Sequence, residues 1–259
     1  MKTISILAGV LLFTAAMFAE SNIPVGTVIP VELNSSINAK NAKPGQIVTA
    51  RVAQDVPLYN GMKIKAGAKV MGQVVPAASQ GNSGTIALRF DKVELSGQMS
   101  PVVTDLRAMA SPLEVDAAQT QVSGDDRGST PAWSQTVTQV GGSDVVYRET
   151  GVVDDGLETI GKSVYAGDWG VLTPVAQNDR CRGAIAGNDN PQALWVFSHD
   201  ACGVYGYDAT IIHAGRSNPQ GQIVLASTSS DLKLFRGTAL LLRVNGSGAA
   251  LSQNDVSSK

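Results

Sequence analysis

The chain has 259 residues, with 20 Lys and Arg against 22 Asp and Glu, only 2 His, and a net charge of −2. Its basic residues form no cluster, which excludes the concentrated phosphate neutralisation that nucleic-acid binding requires. Charged residues are only 16% of the chain and Gly, Ser and Thr abound, a composition of exported β proteins more than of helical cytosolic enzymes.

The first residues run Lys2, an apolar stretch from Ile4 to Phe18, and small residues ending at Ala19 before Glu20. That is the n-, h- and c-region order of a secretory signal peptide over residues 1–19, cleaved after Ala19. The apolar run is too short for a spanning helix, and no later run could cross a bilayer. The expectation is a periplasmic or extracellular protein with no integral membrane span after cleavage. No Cys precedes Glu20, so a lipid anchor is not expected.

Residues 20–106 form a block rich in β-strand signals. From Val25 to Leu33 the odd positions are Val25, Thr27, Ile29, Val31 and Leu33, the period of two of a strand with one buried face. Pro30 cannot donate to a ladder and places this strand at an edge or a bulge. After the turn Lys43-Pro44-Gly45, Val48, Ala50, Val52 and Val56 alternate with polar residues. Asn60-Gly61 fits a two-residue type I′ hairpin turn. Val70, Gly72 and Val74 follow, then Ile86, Leu88 and Phe90, after which the apolar phase slips by one at Val93 and Leu95. A β-bulge or strand switch near Asp91-Lys92 would account for the slip. With no helical period between these strands, the sheet is expected to be antiparallel.

Gly26-Thr27-Val28-Ile29-Pro30, then Pro44-Gly45 and Ala50-Arg51-Val52, then Asp55-Val56, then Ile64-Lys65-Ala66-Gly67 through Gly72 follow a recognisable order. Over about residues 24 to 97 this resembles the β-barrel domain of TrbI-like proteins, outer-membrane ring components of conjugative and type IV secretion machines. It is also similar to small exported envelope proteins of unknown function. The resemblance implies a barrel and partners in the envelope. The apolar helical hairpin that makes the family's pore has no counterpart between Gly97 and Lys259, so a membrane pore is not implied.

Ser100 to Leu106 reads as one more strand. Residues 107–144 then carry no apolar period and are expected to be a flexible polar insertion. Residues 145–245 form a second β block completing the same barrel or sandwich, with a short helix over Asp154 to Lys162 and strands at Ala193 to Phe197, Val204 to Ile212, Gln222 to Ala226, Leu232 to Phe235 and Thr238 to Val244. Gly237-Thr238-Ala239-Leu240 echoes Gly26-Thr27-Val28-Ile29, and the two segments are expected to lie in one sheet, closing it. Residues 246–259 read as a disordered tail. The fold class expected is thus all-β, an antiparallel barrel or sandwich with a long loop insertion and one disulfide.

Cys181 and Cys202 are the only cysteines. In an exported chain such an isolated pair is most simply a disulfide; metal ligation or a reactive thiol would need companion groups that the sequence does not place nearby. Ser198-His199-Asp200 cannot meet as a triad, because successive side chains on a strand point to opposite faces. His199, Asp200 and His213 match no metal spacing, and the acidic doublets Asp125-Asp126 and Asp154-Asp155 match no calcium loop. No catalytic set, metal site or cofactor is therefore assigned. Trp195 with Phe197, and Tyr205 with Tyr207, would each share a strand face, either as packing beside the cysteine loop or as a platform that stacks on sugars. The functional expectation is a non-enzymatic envelope protein acting in assembly or protein binding, including self-association, with glycan or peptidoglycan binding through that aromatic cluster as the alternative and a secreted hydrolase, for which no catalytic set can be named, as the third reading.

Overall fold

A computed structural model describes residues 23–76, 84–122, 134–156, 158–164, 169–174, 190–207, 209–227 and 231–247, with the backbone alone at 60, 209–212 and 247. The chain opens with β1 (Val28–Leu33), β2 (Ile37–Asn38), β3 (Ile47–Val52), the small hairpin β4 (Val56–Pro57) and β5 (Lys63–Ile64), then β6 (Lys69–Val74). Two long strands follow, β7 (Thr85–Leu95) and β8 (Gln98–Ala110), and then helix α1 (Pro112–Ala118). Next come β9 (Ser134–Thr138), β10 (Asp144–Arg148), β11 (Val152–Asp154), β12 (Thr159–Ser163), β13 (Val171–Thr173) and β14 (Gln192–Ala193). The last strands are β15 (Gly203–Tyr205), β16 (Ala209–His213), β17 (Ile223–Ser227), β18 (Lys233–Leu234) and β19 (Ala239–Ser247).

Six antiparallel strands, β8-β19-β1-β3-β6-β7, close into a barrel through the β7–β8 pairing. The closing strand is the expected one: Val28 pairs with Arg243 and Glu32 with Ala239. These partners lie far apart in sequence, but loop-closure entropy grows only with the logarithm of separation. Burial of Leu240 and Leu242 inside the barrel and Leu241 outside it returns about 1.5–3 kcal/mol for each side chain. Burial on both faces also explains the unbroken apolar run of β19, which does not alternate as a half-exposed strand would.

The phase slip in β7 is a bulge. Met71 pairs with Lys92 and Gly72 with Phe90, leaving Asp91 as the extra residue, so Phe90 and Val93 both face the core. Beyond Lys92↔Pro101 the long strands part, where Pro101 has no N–H to continue a ladder. There β17 pairs with β7, β16 pairs with β17, and the Leu106 N–H donates to Ala214 O at 2.8 Å. One end of the barrel is thereby widened by two added strands.

A second antiparallel sheet, ordered β14-β13-β12-β11-β10-β9, lies against the outside of the barrel. Val137, Val145, Tyr147, Val153 and Val171 of this sheet pack with Val28, Ala108, Ala110, Ala239 and Leu241 of the barrel. The alanines keep the outer barrel wall shallow enough for a second layer to seat on it.

Several sequence expectations are corrected. Pro30 is neither at an edge nor in a bulge: β1 lies between β19 and β3. Its carbonyl accepts from Ala53 N at 2.9 Å just past the last residue of β3, so its missing donor removes only the terminal bond of that ladder. Asn60-Gly61 does make a hairpin, but through a 3-10 turn over Tyr59–Gly61 with Leu58 N–H donating to Met62 O, not a two-residue loop. The two-residue turn with both residues at positive φ is Ser96-Gly97 (φ 52° and 80°), joining β7 to β8. The segment 107–144 is not a featureless insertion. Arg107 to Ala110 finish β8, Ser111 caps α1 by accepting from Glu114 N, and β9 begins at Ser134. In place of a helix over Asp154 to Lys162, Val152–Asp154 and Thr159–Ser163 pair as the β11–β12 hairpin. There the Asp155 side chain accepts from Glu158 N at 2.9 Å and ties the turn. β14 ends at Ala193, and Trp195 lies in a turn, so no strand runs from Ala193 to Phe197.

Candidate functional site

The seam between barrel and second sheet is held by Gln54, which follows β3 and is buried. Its Nε2 donates to Val171 O at 3.0 Å and its Oε1 accepts from Trp195 N at 2.6 Å. One side chain thus satisfies two backbone groups of the other layer, which would be costly to bury unpaired. Trp195 takes φ 51°, a left-handed conformation that a bulky residue holds only where its surroundings compel it.

Trp169 stands across the seam from Gln54. The Tyr147 ring meets it edge to face, with centroids 6.0 Å apart at 87°, and the Tyr147 hydroxyl donates to Trp169 O at 2.8 Å. Burial pushes the Tyr147 phenol well above its ordinary pKa, so it remains a donor. Between these groups is a cleft of about 240 Å³ whose wall includes Gln54, Asp55, Gln119, Trp169, Gly170 and Trp195. A Cβ on Gly170 would come within 3.1 Å of the Gln54 carboxamide, so the glycine keeps this wall open. Trp169 was not singled out in the sequence. Its place in the same cleft wall as Trp195 depends on β13 and β14 meeting and has no local signal.

The aromatic quartet does not form a platform. Trp195 is only 7% exposed and Phe197 is fully buried, both packed between the layers. The Tyr205 hydroxyl donates to Cys202 O at 2.9 Å and accepts from Cys202 N at 3.0 Å. The Tyr207 hydroxyl accepts from Phe235 N at 3.2 Å and bonds Thr238 Oγ1. The tyrosines therefore fasten loops. Cys181 lies outside the described residues, and with it the expected bridge to Cys202.

The histidines have local partners: His199 Nε2 is 3.2 Å from Asp200 Oδ2, and His213 Nε2 is 2.9 Å from Pro219 O. Arg107, buried, donates to His199 O and Ala201 O and so holds this loop on the barrel. Ser198 Oγ is buried with no partner, and no set of three metal-ligating side chains gathers among the described residues. Asp125 and Asp126 lie outside them.

A buried ionic group sits on the outer barrel wall. Asp105 Oδ2 accepts from Arg243 Nη2 at 2.7 Å and from Arg243 Nε at 3.1 Å, and Arg216 Nε lies 3.8 Å from Oδ1. Burial raises the Asp105 carboxyl above its ordinary pKa, against the downward pull of both guanidiniums.

A second cleft, about 410 Å³, opens beside β12 and β13. These strands pair only at Lys162↔Leu172 and Ser163↔Val171. Where they part, Ile160, Leu172, Pro174 and Pro191 line an apolar hollow rimmed by Thr159 and Lys162. Among the described residues no helix is long and apolar enough to cross a membrane.

No family model matches the chain, and no curated protein matches it.

Proposed function

We propose that this chain is a non-enzymatic, exported protein of the bacterial envelope that acts by binding another protein or a second copy of itself. The observation that carries this reading is the apolar hollow at Ile160, Leu172, Pro174 and Pro191. It is concave, apolar and rimmed by polar side chains, as a protein-docking surface requires. The closed six-stranded barrel is in keeping with the TrbI-like resemblance, and the leader pattern of residues 1–19 and the Cys181–Cys202 pair are in keeping with export. A photo-crosslinking residue placed at Ile160 or Leu172 in cells, followed by mass spectrometry, tests it. Links from both positions to one envelope protein, or to the same chain, are expected. Failure of both positions to yield any protein adduct would overturn the reading.

A further inference from the structure

Helix α1 and the turn that follows β18 form a surface, separate from the docking hollow, that carries its own complement. We propose that a second copy of this chain docks there across a two-fold axis, the basic turn of each copy lying against the acidic helix of the other.

The centre of this surface is apolar. Val115 and Ala118 of α1 are buried in the core between the layers. Leu113 stands roughly half a turn around the helix from both, and it is 76% exposed. Phe235, 47% exposed, opens the turn Phe235-Arg236-Gly237-Thr238, which Thr238 N closes by donating to Phe235 O at 3.0 Å. A Cβ on Gly237 would lie 3.5 Å from Pro112, the first residue of α1. The two exposed apolar side chains thus flank one junction between turn and helix. The turn is also held in place, with Phe235 N donating to the Tyr207 hydroxyl and Arg236 N to Ser36 Oγ. A partner would therefore meet a surface that needs little ordering.

Charge on the two sides of the junction is opposite. Lys233 and Arg236 are exposed, and neither forms an ion pair among the described residues. Lys233 Nζ instead lies 4.8 Å from the centroid of the Phe235 ring. The nearby Lys40 and Arg51 are matched within the chain, by Asp231 and Glu32. On the helix, Glu114 and Asp116 face no basic residue of α1, and neither forms an ion pair among the described residues. Asp116 is exposed and stands one turn on from Leu113. The surface therefore runs from basic turn through apolar junction to acidic helix. A two-fold axis through the junction sets each sign against its opposite, because in such an interface residue i meets j while j meets i. Apolar burial at the centre then supplies affinity, and the flanking charges fix the partner and its orientation.

Sedimentation velocity on the chain purified from cells, in low salt and over a series reaching roughly 1 mM, reads the monomer–dimer equilibrium. A dimer that weakens as salt rises is expected. Asp116→Lys and Arg236→Glu each bring like charges together at two symmetric places, and each alone should weaken the dimer about tenfold. Mixed in equal amounts, the two variants regain opposite signs at both places and should form a heterodimer close to the native pair in strength. Leu113→Ser, at an exposed position, should weaken the native dimer several-fold. The hollow takes no part in this pairing, so crosslinking from Ile160 and Leu172 should be unchanged in both charge variants, which separates failure here from failure of the docking reading. A chain that stays monomeric throughout the series, a dimer indifferent to both charge reversals, or a mixture no tighter than either variant alone would overturn the proposal.

Discussion

Asp105 shows what a single residue must do when it faces outward from a barrel wall that is nonetheless covered. Arg243 stands directly opposite it in the β8–β19 ladder, and Arg216 reaches it from the loop between β16 and β17. Gly215 of the same loop packs against Thr104 O, and Leu106 N–H donates to Ala214 O. The carboxylate thus compensates two guanidiniums at the point where this loop crosses the barrel. Breaking a buried pair from one side leaves charge without compensation and costs about 3–5 kcal/mol. Asp105→Asn, nearly isosteric but neutral, is therefore expected to lower unfolding free energy by about 3 kcal/mol in a urea titration. Loss below about 1 kcal/mol would mean that water reaches the guanidiniums and the group is not truly dry.

Among elements, the β10–β11–β12 meander is held by charge at its exposed end. Asp154 accepts from Arg148, across the β10–β11 pair, and from Thr159 Oγ1 at 2.8 Å on β12. The Arg148 hydrogen bond first, and Thr159 second, hold the Asp154 carboxyl below its ordinary 3.8. A carboxyl whose pKa is lower in the folded chain stabilises it above the unfolded value, and that stabilisation is lost as the pH falls through the folded value. The meander should therefore hold at pH 5 and loosen only below pH 3.8. Carbon-detected NMR titration of Asp154 checks this directly: Arg148→Gln should move its midpoint upward. An unchanged midpoint would place the effect with Thr159 alone.

At the scale of the whole molecule, the two layers are joined by apolar packing and by Gln54. Packing through Val28, Ala108, Ala110 and Leu241 is non-directional and would tolerate sliding. Gln54 supplies direction by bonding to Val171 O and Trp195 N together. Gln54→Leu keeps the volume but leaves two buried backbone groups unpaired, at about 1–3 kcal/mol each. Hydrogen exchange should then rise across β12, β13 and β14 while β1, β3 and β19 remain protected, because local opening does not require the barrel to unfold. Equal acceleration in both layers would show that they unfold as one unit.

The all-β class, the pairing of 25–33 with 238–244, and the bulge beside Asp91 are legible in the chain. The pairing is written in the echo of Gly26-Thr27 by Gly237-Thr238, and the class and the bulge in local alternation: the apolar phase of β7 changes by one residue at Asp91, and only a bulge keeps Phe90 and Val93 on the same side. Features that depend on what an element packs against could not be read this way. Pro30 looks like an edge residue until the ladder beside it is seen to end at Val52, one residue before its partner Ala53. Asp154 to Lys162 carries helix-capping residues, yet pairing with β10 and β13 draws it into strands. Trp195 and Phe197 sit two apart, as surface partners on a strand would, but the turn at Trp195 places both between layers. The seam cleft is the extreme case. Gln54, Gln119, Trp169 and Trp195 belong to four separate stretches of chain, and no periodicity links them. Alternation of apolar residues determined that strands form and which face is inward, since that pattern is a property of neighbours in sequence. Only the tertiary structure decided which outer faces are covered and which side chains share a cleft, because those contacts arise from burial between separate elements, up to 141 positions apart for Gln54 and Trp195, where the hydrophobic effect rewards area and is blind to order along the chain.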